Sequence, residues 1–201
     1  PREDNWWGPA GETGPCGPDT EMFIDTGKPA CCTECRPGCG CGKYVEIWND
    51  VFMQYRKEQD GSYNALQRRC VDTGMGIERT VAMLQGKKSV YETEIFTPLI
   101  TAIETITGYR YGSNAEKDIS VRIICDHSRA ATVILGDPKA VVPSNVGAGY
   151  VLRRIIRRAV RHGRKLGIEG TFLAVPARVV IEQYRNAYSE LKEKEAAITA
   201  E

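Results

Sequence analysis

Asp72-Thr73-Gly74-Met75-Gly76-Ile77-Glu78-Arg79 places a carboxylate, two glycines and a guanidinium within eight residues. Asp72 offers a counter-charge for an ammonium group. Arg79 offers a permanently charged planar fork that suits phosphate oxygens. Gly74 and Gly76 lack a Cβ, so the backbone there can approach a ligand closely. The local pattern predicts a strand ending at Asp72, a Gly-x-Gly turn and a helix carrying Arg79, whose N-terminus favours anions. These parts suit a site holding an amino acid beside a nucleotide. The alternative for the same residues is a tight turn with an ordinary surface ion pair.

Two further clusters carry chemistry. From Gly149 to Ile168 there are seven Arg or Lys and no Asp or Glu. At helical spacing, Leu152, Ile155, Ile156, Ala159 and Val160 share one face. Arg153, Arg154, Arg157, Arg158, Arg161, Arg164 and Lys165 occupy the others. Like charges this close repel unless a polyanion offsets them, which points to nucleic-acid phosphates. A solvated charged face is the simpler alternative, and a membrane surface is disfavoured by the lack of a lipid-facing aromatic set. The other cluster is Cys32-x2-Cys35-x3-Cys39-x-Cys41, preceded by Cys31. Cys32, Cys35, Cys39 and Cys41 could hold a tetrahedral Zn²⁺, with Gly38, Gly40 and Gly42 allowing tight wrapping. Reduced free thiols in a loop are the alternative. His127 and His162 are the only histidines and read as structural rather than ligating.

Composition sets the frame for these clusters. The 201 residues, 42% hydrophobic, allow one large domain or two small ones. No apolar run approaches the roughly 18–20 residues needed to cross a bilayer. Pro1-Arg2-Glu3-Asp4 is not a signal peptide, and both ends read as cuts through a longer protein. Nothing indicates secretion, so the cysteines fit a reducing cytoplasm. Residues 5–20 read as loop, because alternating Gly and Pro disfavour helices and central strands. Strands are expected at 21–25, at 43–55 with a bend near Asn49-Asp50, and at 67–72 after a turn at 59–62. Helices are expected at 77–85 and 96–107, closed by Gly86 and Gly108, then at 121–135 and 150–166, with a last one from about 176 toward 197. The fold class is α+β: an antiparallel sheet with flanking helices over 1–110, followed by an all-α domain over 111–201.

Several blocks together resemble one family. They are Asn5-Trp6-Trp7, Gly11-Glu12-Thr13-Gly14-Pro15-Cys16-Gly17-Pro18, Tyr44-Val45-Glu46-Ile47-Trp48-Asn49, Val51-Phe52-Met53-Gln54-Tyr55, the Asp72–Arg79 stretch, Asp126-His127-Ser128-Arg129, Pro143-Ser144-Asn145 and the run from Gly149 to Gly163. In this order they resemble the alanyl-tRNA synthetases, which are class II aminoacyl-tRNA synthetases. Trp6 departs from the family's usual phenylalanine. The resemblance implies a partial class II sheet, ATP-dependent activation of alanine to alanyl-adenylate, and transfer to the 3′ end of tRNA(Ala).

It also implies residue roles. Asp72 holds the alanine α-ammonium, with Trp7, Asn49 and Gly74 completing the pocket. Arg79 and Gly76 face ATP, and Glu46 lies near ATP-bound Mg²⁺, so Arg79, Asp72 and Glu46 are the expected catalytic residues. Asn145 matches a residue that reads the G·U pair of the acceptor stem, while Arg153, Arg154, Arg157, Arg158 and Arg161 hold phosphates. A small apolar pocket discriminates one methylene by only ~1–3 kcal/mol, and the HxxxH pattern of the family's editing domain is not found in this chain. Nor are the first two class II motifs, which in the family precede the first of these blocks. The chain alone is therefore expected not to activate alanine. Two alternatives remain: a non-catalytic acceptor-stem binding module and a zinc-stabilised structural domain.

Overall fold

The computed structural model describes residues 4–139 and 141–201. Its first half is an antiparallel sheet in the order β1-β2-β3-β4, formed by Trp6–Trp7, Gly14–Asp25, Tyr44–Lys57 and Tyr63–Met75. Helix α1, Ile77–Leu84, and a single 3₁₀ turn at Val90–Glu92 follow.

β2 begins at Gly14, well before the expected Glu21, and it is an interior strand despite its glycines and prolines. Two features make that possible. The register against β3 slips between Cys16 and Asp19, relaxing the ladder where Pro18 has no N–H to donate. Gly17 also lets the two backbones close up, since a Cβ there would sit 1.8 Å from the Phe52 carbonyl oxygen. β3 does not bend at Asn49-Asp50, which pair regularly with Glu21 and Thr20 on one side and with Gly74 and Thr73 on the other. The irregularities fall at Ile47 and Gln54 instead.

β4 runs past Asp72 to Met75. Gly74 is therefore a strand residue opposite Asn49, and the expected Gly-x-Gly turn is absent. Only Gly76 lies outside the strand, as the N-cap of α1. α1 closes as expected at Gly86, which takes φ +64° and donates to Met83 O.

The second half is helical: α2 (Thr97–Thr107), α3 (Ala115–Gly136), α4 (Gly147–Lys165), α5 (Ala174–Tyr184), α6 (Ser189–Glu193) and α7 (Glu195–Ala200). α3 starts before the expected Val121 because Asn114 caps it, accepting from the backbone N–H of Glu116 and Lys117 at 3.0 Å each. The expected single last helix is three short ones. After Tyr184 the chain turns, with Ala187 and Tyr188 N–H both bonded to Tyr184 O. The break lets Leu191 and Ile198 fold back onto Ala177 and Ile181 in one buried cluster.

Packing divides the chain into two compact units, one ending at Thr93 and one from Glu94 to Glu201. Helix α2, expected in a sheet domain over 1–110, packs instead on α3 and α5 in the second unit. The sheet unit buries Cys16, Val51, Met53 and Ala82. The helical unit buries Leu99, Ile103, Val121, Ile124, Leu152, Val180 and Ile181. Among the described residues, no helix is long and apolar enough to cross a membrane.

Candidate functional site

The regular pairing of Glu21, Asn49 and Gly74 across β2, β3 and β4 puts three neighbouring strands under one open cleft of about 510 Å³. Trp7 from β1 and Asp72 and Thr73 from β4 complete its walls, together with Asp19, Glu46 and Val51. The cleft thus gathers Trp7, Asn49, Asp72, Gly74 and Glu46, all singled out from the sequence. Asn49 is its hub. Its Nδ2 donates to Asp19 Oδ2 at 2.8 Å and to Glu21 Oε1 at 3.3 Å. Below it, Thr73 Oγ1 donates to Asn49 O at 3.3 Å and accepts from Trp48 Nε1, tying β3 to β4.

The lining is strongly anionic: Asp4, Asp19, Glu21, Glu46 and Asp72 all face it, and among the described residues no Lys or Arg lines it. Glu21's carboxyl is held above its ordinary value, first by loss of surrounding water and then by repulsion from Glu46, Asp19 and Asp4. The bond from Asn49 opposes this. Asp19 Oδ1 is buried with no hydrogen-bond partner. A hard cation or an ammonium group would satisfy these oxygens.

Arg79 is not on the cleft wall. Its Nη1 donates to Glu46 O at 2.9 Å and lies 3.6 Å from Glu46 Oε2. Both side chains are substantially exposed, so the ion pair holds Arg79 only weakly. Gly76 is likewise off the wall, with its N–H bonded to Ile47 O at 2.9 Å.

In the helical unit, α4 presents a second concave surface, lined by Asn145, Tyr150, Arg153, Arg154, Arg157 and Arg158. Arg153 Nη1 donates to Asn145 Oδ1, and the Arg154 guanidinium lies 5.7 Å from the Tyr150 ring centroid. Arg161 is exposed on the same helix but does not line this hollow. Asn145 does not cap α4: Val146 is the N-cap, and the local turn is closed by Ser144 Oγ, which accepts from Val146 N–H. Among the described residues, no carboxylate pairs with Arg153, Arg154, Arg157, Arg158 or Arg161. Of the expected apolar face of α4, Leu152 and Ala159 are buried and Ile155, Ile156 and Val160 half-buried; Gly163 is buried beside them. His162 Nδ1 lies 3.0 Å from Ser120 Oγ, a packing role.

The whole chain, residues 1–201, matches the family model for "tRNA synthetases class II (A)". The chain belongs to the class II tRNA synthetases. Among curated proteins it is 71% identical, over 198 residues, to an alanine–tRNA ligase of Treponema denticola, an alignment covering 98% of this chain and 33% of that protein. A Treponema pallidum alanine–tRNA ligase is also 71% identical, over 201 residues, covering 100% of this chain and 33% of that protein. One from Petrotoga mobilis is 46% identical over 200 residues, covering 98% and 23%. The chain spans about a third of the length of the first two relatives.

This class II sheet contains cleft residues that the sequence reading missed: Asp19 and Glu21 above all, with Asp4 and Thr73. Asp19 and Glu21 stand two apart on β2, so they share a face. That alternation was the available signal, hidden because residues 5–20 read as loop. In the cysteine loop the structure gathers Cys31, Cys35, Cys39 and Cys41, with all four sulfurs within 4.8 Å of one another. Cys31, not Cys32, is the fourth member. The cluster could hold a metal ion.

Proposed function

We propose that this chain carries the alanine pocket, part of the ATP site and the acceptor-stem platform of an alanine–tRNA ligase. The observation that carries this reading is the cleft. It joins Trp7, Asn49, Asp72 and Gly74 to a carboxylate cluster, in a chain 71% identical to proteins named alanine–tRNA ligase.

The substrate chemistry fits the charge pattern. Five carboxylates on the wall repel a bare nucleotide but attract an ammonium group. Asp72 holds the alanine ammonium, Gly74 leaves space at the strand surface, and Trp7 closes the apolar side of a small pocket. Glu46, with Glu21 and the orphaned Asp19 oxygen beside it, offers the oxygen donors that suit Mg²⁺. When bound, Mg²⁺ neutralises phosphate charge and polarises the phosphoryl oxygens. Arg79 leaves its exposed pair with Glu46 and turns its fork to the triphosphate, with the Gly76 N-cap beside it. Attack of the alanine carboxylate on the α-phosphate needs little proton transfer. The chain's share of catalysis is therefore positioning and charge stabilisation.

The α4 hollow is the RNA side of the same reading. Arg153, Arg154, Arg157, Arg158 and Arg161 hold acceptor-stem phosphates and set register. Asn145 keeps its NH₂ free to donate while its oxygen takes Arg153, and an amide suits the edge of a G·U pair in the wide RNA minor groove. The cytoplasm is where these substrates and reduced thiols coexist.

Replacing Asp72 by Asn in the protein at its whole length tests this. Alanine-dependent ATP–pyrophosphate exchange is expected to fall at least tenfold while tRNA affinity stays within twofold. Exchange at the wild-type rate would sink the ligase reading and leave a non-catalytic acceptor-stem module in its place.

A further inference from the structure

We propose that Cys31, Cys35, Cys39 and Cys41 bind one zinc ion as a closed four-thiolate site that staples the loop joining β2 to β3. The geometry of the sulfurs leads to this. Cys31 and Cys39 Sγ lie 3.4 Å apart, Cys35 and Cys41 Sγ 3.7 Å, and all four fall within 4.8 Å of one another. Zinc sits about 2.3 Å from a thiolate, so the edges of a regular ZnS₄ tetrahedron are about 3.8 Å. The observed spacings bracket that value. They are also far beyond the roughly 2.05 Å of a disulfide. Four soft donors around one point suit zinc, and with all four positions filled by protein the site is structural, with no place for a substrate.

The loop is built to deliver these sulfurs. Its base is closed by Thr26 N–H to Lys43 O at 2.8 Å and by Thr26 Oγ1 to Gly42 O at 2.9 Å. Lys43 Nζ adds bonds to both Asp25 oxygens and to Lys28 O. Inside, Cys35 N–H bonds Cys32 O and Cys39 N–H bonds Arg36 O, making two tight turns. Gly38 and Gly42 take φ of +86° and +79°, conformations an L side chain would strain.

Little else holds the loop. Cys31, Thr33, Glu34, Arg36, Pro37 and Gly38 are exposed, so no apolar core shapes it. The four sulfurs are its point of convergence. Cys32 reaches Cys31 at 3.8 Å but stands outside the group of four. The site also sits at the end of the β2–β3 ladder from which Glu21 and Glu46 project, so a staple there fixes the strand ends that bear those carboxylates.

The test is metal analysis of the protein purified in reducing buffer without chelator, followed by replacement with cobalt. About one zinc per chain is expected, and cobalt should give sulfur-to-metal charge-transfer bands and the intense d–d absorption of a tetrahedral site. Cys31→Ser is expected to lose most of the metal, while Cys32→Ser retains it. Absence of stoichiometric zinc together with absent cobalt–thiolate bands overturns the proposal. So does iron in place of zinc, or equal loss in the two variants. The wild-type cobalt spectrum needs no variant, so misfolding of Cys31→Ser cannot mask the outcome. None of these readouts uses aminoacylation, so their failure is separate from failure of the ligase reading.

Discussion

Glu21 shows how a single side chain reports the state of the cleft. Burial and repulsion raise its carboxyl pKa, and the Asn49 bond pulls the other way. A raised carboxyl favours the neutral form in the folded state. Its stabilising contribution is therefore complete below the unfolded value of about 4.3 and is lost as pH rises through the folded value. At neutral pH the ionised group works against the fold unless a cation sits beside it. Two substitutions should move its titration in opposite directions. Glu46→Gln removes the largest charge repulsion and should lower the Glu21 pKa, though not to the ordinary value, because burial is the larger cause. Asn49→Ala removes the opposing bond and should raise it further. Carboxylate-carbon NMR titration measures both, and movement in the same direction would contradict the cleft as described. Adding Mg²⁺ should lower the wild-type value.

At the scale of elements, α4 makes a close approach at Gly163. A Cβ on Gly163 would stand 2.3 Å from the Phe172 ring, a buried side chain that cannot simply swing away. Gly163→Ala is thus expected to cost about 1–3 kcal/mol in a denaturant melt, despite alanine's better helix propensity. The N-cap of α3 gives a milder case. Asn114→Ala removes two side-chain-to-backbone bonds and should cost about 1 kcal/mol. Helices of this kind were legible from sequence, because periodicity and the closing Gly86 and Gly108 are local signals. β2 was not. Gly17 is tolerated there only because β3 passes so near, and no local pattern in Gly14–Pro18 encodes that neighbour. Missing the first half of β2 left Asp19, one of the five carboxylates of the cleft, in an expected loop. Asp72, Asn49, Trp7 and Gly74 were found because they lie in motifs. The turn expected at Gly74 failed for the same reason as β2, since pairing with Asn49 extends β4 through it. The break after Tyr184 is likewise set by where Leu191 finds a buried site.

For the whole molecule, a net charge of +1 conceals two opposed surfaces, an acidic cleft in the sheet unit and a basic hollow on α4 in the helical unit. Their separation into different compact units means their chemistries should be separable by mutation. Replacing Arg157 and Arg158 by Gln removes two cations from the hollow without touching the buried face of α4, which carries Leu152 and Ala159. Each lost phosphate contact should reduce the slope of log affinity against log salt by about 0.7–0.9. On the proposed ligase reading, the doubly substituted protein at its whole length should therefore bind tRNA more weakly at low salt and with a shallower salt dependence, while its alanine-dependent ATP–pyrophosphate exchange stays within twofold of the unsubstituted protein. Asp72→Asn should give the mirror image. Filter binding across a salt series, paired with the exchange assay on the same preparations, reads both. An unchanged salt slope would remove α4 as the phosphate-binding surface and leave its arginines as a solvated face.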